Sequence, residues 1–265
     1  MTGLPCVDVV IPVFNGSQTI QAAIASVLVQ RGPWLNKVIV IDDGSTDGTA
    51  EVVQRLGNPF IEVVTTPNHG VAAARNLGVS RSGAEWIAFL DADDLWMPDK
   101  LKAQLDAAQL HGANFVFCSA TKIPTTPSSL ISAKQLARGN CVVTSSVLIK
   151  REILEQIRTP FTPGMSFAED YLCWLKCASV TSAYYISEKY VDYTLSPHPR
   201  YRWRQILASI VMLNVRYAAF LRGSGVSPMQ RLALAWTLSL GSLRSIIGII
   251  KRFVRSYRAN SQRIK

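Results

Sequence analysis

The strongest constraint on this chain is a repeated order. A short apolar run rich in β-branched residues stops at a polar or acidic loop, and a stretch with apolar residues at helical spacing follows. Residues 7–13 read as a buried strand containing Pro12. Residues 17–30 carry Ile20, Ala23, Ile24, Val27 and Leu28 on one helical face, with Ser17 or Thr19 as a cap. A second strand over 37–41 is stopped by Asp42-Asp43-Gly44-Ser45. A helix over 46–56, a strand over 61–65, a helix over 70–80 and a strand over 86–90 complete the series. Such alternation predicts an α/β sandwich with a mostly parallel central sheet. In such sheets ligands gather at the carboxyl ends of the strands, so the loops after Val13, Ile41 and Leu90 are expected to converge.

Beyond residue 100 the pattern changes. A helix over 101–110, a strand over 115–119, a Pro/Ser/Thr-rich loop over 121–130, a strand over 142–149, a helix over 168–179 and an extended stretch over 183–193 are expected. We divide the chain into residues 1–100, residues 101–195 of the same domain, and a basic helical extension over 196–265. With 48% hydrophobic and 17% charged residues in 265, disorder over most of the length is excluded. The five cysteines are scattered, which favours reduced buried thiols over a metal site. The first residues lack a basic segment before an apolar run, so no cleaved signal peptide is expected.

Two acidic clusters carry the chemistry. Asp91-Ala92-Asp93-Asp94 follows the strand over 86–90. Three carboxylates so close repel one another unless a cation or hydrogen-bond donors neutralise them. A hard divalent ion fits, because Mg2+ and Mn2+ prefer oxygen and bind through one or two carboxylates plus substrate phosphates. A solvated turn, or Asp94 as the cap of a helix near Pro98, fits the same residues. The run 42–49 offers a carboxylate to a base or ribose, or simply a turn in which Ser45 or Thr46 caps the next helix. It lacks the spacing of a dinucleotide fingerprint. Arg75 follows the small residues Val71-Ala72-Ala73-Ala74, from where it could reach a base or phosphate or lie on the surface. Glu169-Asp170 opens a helix, where acidic residues suit the macrodipole; it could equally supply a general base.

Taken together, residues 9–15, 38–49, 68–76, 89–94 and 169–175 occur in an order that resembles the family 2 glycosyltransferases of GT-A fold, over about residues 7–195. The resemblance implies inverting transfer of a sugar from a nucleotide-diphosphate donor, expected to be a UDP-sugar, to a hydroxyl of a saccharide or lipid-linked saccharide in cell-surface polysaccharide synthesis. It implies that Asp43 binds the base with Arg75 alongside, and that Pro12, Val13 and Asn15 shape the loop near the base. Asp91 would contact the ribose, Asp93 would hold Mn2+ or Mg2+, and Asp170 would be the catalytic base. On this reading residues 1–100 are the nucleotide-sugar half and 101–195 the acceptor half. The family often carries an Arg-x-His element after the last strand; here His198 and Arg200 align with it only loosely. No Gln-x-x-Arg-Trp element is present, so single addition is expected rather than polymerisation. A non-catalytic nucleotide-sugar-binding or partner subunit is the alternative.

Charge is unevenly placed. Residues 193–265 hold 13 Lys and Arg and no acid, whereas residues 1–192 hold 15 basic and 18 acidic side chains. Helices are expected over 205–222 and 229–258. In the second, Thr237, Gly241, Arg244, Gly248, Lys251, Arg255 and Arg258 form a narrow polar stripe opposite Leu234, Leu238, Ile246, Ile249, Ile250, Phe253 and Tyr257. That pattern suits a helix lying on an anionic membrane face; packing on the domain or an oligomer contact, and a membrane span over residues 232–250 with Arg244 inside it, are the alternatives. The expected place is the cytoplasm, on the inner face of the cell membrane. The broad apolar face disfavours nucleic acid as the partner.

Overall fold

The computed structural model describes residues 5–30, 32–121, 126–165, 168–194, 203–223, 227–239 and 241. Strand β1 (Val7–Val13), helix α1 (Ile20–Leu28), β2 (Leu35–Asp42), α2 (Thr49–Gln54), β3 (Ile61–Thr65), α3 (Val71–Arg81) and β4 (Trp86–Phe89) form the first half. The strands β3-β2-β1-β4 lie side by side, all parallel. The second half holds β5 (Leu95–Trp96), α4 (Lys100–His111), β6 (Phe115–Ala120), β7 (Ser129–Ile131), α5 (Ala133–Leu136), β8 (Val147–Lys150), α6 (Arg151–Gln156), α7 (Glu169–Val180) and β9 (Ala183–Asp192). β8 joins β4 and β6 antiparallel, β9 runs parallel to β6, and β5 and β7 pair antiparallel with β9. One sheet therefore runs through both halves. Helix α8 (Trp203–Gly223) follows, and residues 228–239 are helical.

Both faces of the sheet are covered, and the two-residue period of the strands divides the core. Val10, Ile39, Ile87, Phe89 and Phe115 face α3 and α7, with Trp174 at the centre. Val9, Ile11, Val38, Val40 and Leu90 face α1 and α4. Asp8, buried near the start of β1, is tolerated because Asn36 Nδ2 and Ser82 Oγ each donate to its carboxylate at 2.7 Å. Pro12 lies past the end of β4, which pairs only with Val7 to Val10, so its missing N–H breaks no ladder on that side. The small residues of α3 let it press on β1: a Cβ at Gly78 would lie 2.3 Å from Val10 Cγ1.

Several local expectations are corrected. Residues 142–149 are not one strand: Thr144–Ser146 form a 3-10 turn before β8. The Ser146 hydroxyl donates to Val143 O at 2.6 Å, a local bond that competes with strand pairing. Thr19 stands at the N-cap position of α1, which starts at Ile20, but its side chain makes no cap hydrogen bond, and Ser17 lies before the cap. α2 begins at Thr49, three residues later than its pattern predicts, because Ser45 and Thr46 bond to the neighbouring loop instead. Asp94 caps nothing; Asp99 precedes α4, and Asp94 is buried elsewhere. The short elements β7, α5 and α6 were too brief for periodicity to reveal. Of the expected helix over 229–258, residue 240 and residues 242–258 lie outside the described residues, as do His198 and Arg200.

Candidate active site

Three loops meet at the carboxyl ends of β1, β2 and β4, as the alternating order predicts. The loop after β1 is fastened to the loop after β2. Asn15 adopts a left-handed backbone (φ 52°), which asparagine tolerates better than most residues. Its N–H donates to Ser45 Oγ at 2.8 Å and its Oδ1 accepts from Thr46 N at 2.8 Å. Asp43 N donates to Val13 O at 2.8 Å, tying the end of β1 to the end of β2. Gly44 (φ 80°) makes the turn, since a Cβ there would lie 2.8 Å from Asn68 N.

The buried Asp43 carboxylate accepts from His69 N and Gly70 N, each at 2.8 Å. It thereby anchors the entry to α3. Arg75 stands on the next turn of α3 and is 4% exposed. Its Nη2 donates to Asp91 Oδ1 at 2.7 Å and its Nη1 to Glu169 Oε1 at 3.0 Å. The guanidinium sits 5.4 Å from the Phe161 ring centroid, and its buried Nε has no hydrogen-bond partner among the described residues. Among those residues no hydrogen bond joins Arg75 to Asp43. Burial opposes the charge on Arg75, but Asp91, Glu169 and Asp170 outweigh it and hold it firmly cationic.

The acidic cluster after β4 splits into three environments. Asp91 pairs with Arg75, and its N–H donates to Ser145 Oγ at 3.0 Å. Asp93 is exposed; burial of part of its carboxyl and the Asp91 charge push it upward, and its own N–H opposes the shift. Asp94 turns inward, accepting from Ser145 Oγ at 2.6 Å and Thr194 N at 2.7 Å, and burial pushes its carboxyl up to about 7. The three carboxylates thus do not share one point. Among the described residues no three His, Cys, Asp or Glu side chains converge as a ready ligand set. Asp93 and the second oxygen of Asp91 still offer hard oxygen donors at the strand end. That fits an ion held through one or two carboxylates and completed by substrate phosphates, and does not fit an all-protein cage.

Glu169 and Asp170 open α7, preceded by Ala168 in a left-handed conformation (φ 62°). Asp170 accepts from Thr144 Oγ1 at 3.1 Å and from Tyr171 N at 2.6 Å. Burial pushes Asp170 above the usual carboxylate range, against the pull of Arg75 and these two donors. Asp91 and Asp170 line the same cleft of about 230 Å³, together with Thr144, Cys141 and Tyr193. The arrangement can hold an anionic group near Asp93 through a cation and offer a carboxylate base to a hydroxyl in the cleft. Thr144, Ser145 and Phe161 are the contributors that sequence patterns do not reveal, because Ser, Thr and Phe at those places carry no motif.

The family model described as glycosyl transferase family 2 matches residues 8–165, more than half of the chain. This chain is a family 2 glycosyltransferase. It is 33% identical over 187 residues to an uncharacterized glycosyltransferase of Haemophilus influenzae, covering 66% of this chain and 72% of that one. It is 31% identical over 206 residues to TuaG of Bacillus subtilis, a glycosyltransferase named for teichuronic acid biosynthesis, covering 72% and 79%. The fold is similar to that of S. aureus TarS in complex with UDP-GlcNAc, with a TM-score of 0.75 at 18% identity over 88% of this chain and 71% of that chain. The family 2 glycosyltransferase described here thus has the GT-A fold. Asp170 lies just beyond the matched segment, so its place in the site rests on the geometry of the cleft.

Proposed function

We propose that this family 2 glycosyltransferase moves a sugar, with inversion, from a UDP-sugar to a hydroxyl of a saccharide or lipid-linked saccharide during cell-surface polysaccharide synthesis. The observation that carries the proposal is the shared cleft: Asp91 and Asp170 face it together, and Arg75 reaches Asp91 on one side and Glu169 on the other. The reported complex of TarS with UDP-GlcNAc and the name of TuaG support the donor class and the pathway class. The non-catalytic reading is not favoured, since the residues for binding and for proton removal are both present.

In this proposal residues 1–100 hold the donor and 101–195 the acceptor, and 196–265 form a basic extension that brings the enzyme to the inner face of the membrane. Asp43, Pro12, Val13 and Asn15 form the base-side wall, with Arg75 deeper. Asp91 contacts the ribose. Asp93 would hold Mn2+ or Mg2+, whose positive charge would stabilise the departing diphosphate. Asp170 accepts the proton of the acceptor hydroxyl as that oxygen bonds to the anomeric carbon. The bond from that carbon to the diphosphate oxygen breaks, and the nucleoside diphosphate leaves.

The decisive experiment incubates the 265-residue protein with a panel of nucleotide sugars and lipid-linked acceptors, with Mn2+ or Mg2+, and measures nucleoside diphosphate release and product mass. Transfer from one donor, lost in Asp170→Asn, is the expected result. Absence of turnover with every donor, despite donor binding, would favour the binding-module alternative.

A further inference from the structure

Helix α8 and the helix at 228–239 lie outside the transferase site, and their surface is unusual. Along α8, Val211 and Val215 are 63% and 60% exposed, and Ala219, one turn further, is also exposed. These residues, four apart, form one stripe. On the next helix Met229, Leu232 and Trp236 are exposed at matching helical spacing. The two helices are neighbours, since Ser239 Oγ donates to Asn214 Oδ1 at 3.2 Å. The apolar side that sequence patterning assigns to a membrane is, at Leu234 and Leu238, packed on the domain instead. A Cβ at Gly241 would lie 2.7 Å from Ala137 O. The face left to solvent is the one carrying Met229, Leu232 and Trp236.

The α8 stripe runs into a pocket of about 330 Å³ between α7 and α8, lined by Thr159, Thr162, Lys176, Arg216, Ala219 and Phe220 among others. Lys176 is 7% exposed. Its Nζ donates to Thr159 O at 3.0 Å and to Thr162 Oγ1 at 3.3 Å, which leaves one of its three hydrogens unused. Among the described residues neither Lys176 nor Arg216 has an ion pair, and no acidic side chain lines the pocket. A buried ammonium without a counter-charge is costly, so an anion entering here is favoured. Burial pushes Lys176 downward, the neighbouring Cys173 and Cys177 oppose that shift, and Arg216 adds a smaller downward push.

We infer that this pocket takes the phosphate-bearing headgroup of an anionic phospholipid, with the exposed stripe of Val211, Val215 and Ala219 set into the lipid boundary beside it. The chemistry of the wall selects the occupant: two cations and two threonines suit a phosphate, and an apolar stripe at the pocket mouth suits the acyl region next to that phosphate. A second copy of the chain is disfavoured as the occupant. An isologous contact would set this face against itself, and residues 193–265 carry 13 basic side chains and no acid. The inference rests on the membrane contact proposed above and names the site that makes it selective.

The test is co-sedimentation of the 265-residue protein with vesicles of phosphatidylcholine, with and without phosphatidylglycerol. The wild type should partition more strongly onto the phosphatidylglycerol vesicles. Arg216→Gln should lower that partition about fivefold, as for one lost cation near a charged surface, and leave binding to phosphatidylcholine unchanged. Because Lys176 is packed inside, Lys176→Met is read only alongside a circular dichroism check, and Arg216, exposed, is the deciding variant. Val211→Ser with Val215→Ser should weaken binding to both vesicle types. Unchanged partition of Arg216→Gln overturns the pocket while leaving membrane contact intact. A wild type that ignores every vesicle overturns both. Thermal stabilisation by inorganic phosphate without any vesicle binding assigns the pocket to a soluble phosphate and overturns the lipid assignment.

Discussion

Arg75 Nη2 donates to Asp91 Oδ1 at 2.7 Å from a side chain that is 95% buried, so the Asp91 carboxylate is held by a cation from inside the protein. The same guanidinium reaches Glu169 at the head of α7. One residue of α3 therefore couples the end of β4 to the helix that carries Asp170. Arg75→Met leaves both carboxylates uncompensated and should cost about 3 kcal/mol of stability, read from urea denaturation. Arg75→Lys keeps a charge but cannot span both partners with a planar fork. It should lower kcat on the order of 10²-fold, as for a misplaced catalytic group, with little loss of fold. A lysine variant with wild-type turnover would show that the fork is dispensable.

Asp170→Asn should lower turnover by about 10²- to 10⁴-fold, the usual worth of a general base. The pH profile gives a second reading. Burial raises the Asp170 carboxyl, and a base must be ionised to act, so kcat/KM should rise with pH through a value above the ordinary aspartate range. Thr144 Oγ1 donates to Asp170 Oδ2 and favours the ionised form. Thr144→Val should therefore move the acidic limb about one unit to higher pH. An unmoved limb would place the essential ionisation on another group.

Asp93 is the exposed carboxylate of its cluster and the one proposed to hold the metal. In the wild type, UDP with Mn2+ should raise the melting temperature; at saturation near a hundred times Kd this is worth about 2.7 kcal/mol. Asp93→Ala should abolish the Mn2+-dependent part and leave the apo melting temperature nearly unchanged. An equal Mn2+-dependent rise in the variant would remove Asp93 from the metal site.

Lys100 supplies a stability test away from the site. Its Nζ lies 3.8 Å from the Trp96 ring centroid and donates to Gln104 Oε1 at 2.8 Å. Burial pushes its ammonium down to about 8 from an ordinary 10.5. The folded state thus sheds this proton more readily than the unfolded state, so the penalty is full below about 8 and is relieved as pH rises toward 10.5. The stability of the wild type relative to Lys100→Met should rise across that window by at most about 3 kcal/mol, followed by urea denaturation at several pH values. A flat difference would mean that the Lys100 ammonium keeps its ordinary 10.5 in the fold and that its burial is fully offset by the Trp96 ring and Gln104.

The amino-acid sequence alone determined the alternation of strands and helices, the convergence of the loops after β1, β2 and β4, and the family. These follow from local periodicity and from motifs whose residues are close in the chain, such as residues 42–49 and 89–94. The tertiary structure decided what each carboxylate does. Asp91, Asp93 and Asp94 look alike in sequence, yet one meets Arg75, one faces solvent and one is taken by Ser145 and Thr194. Asp94 looks like a helix cap until β9 brings Thr194 to it across 100 residues. Arg75 and Glu169 are 94 residues apart, and Thr144 meets Asp170 only because α7 folds back over the turn before β8. The sense of the extension likewise depended on packing: Leu234 and Leu238 repeat like a membrane face, but contact with the domain had already taken that face. Periodicity reports which side of an element is apolar; only the assembled neighbours determine what covers it, because burial and charge pairing are properties of surfaces brought together and not of the chain that carries them.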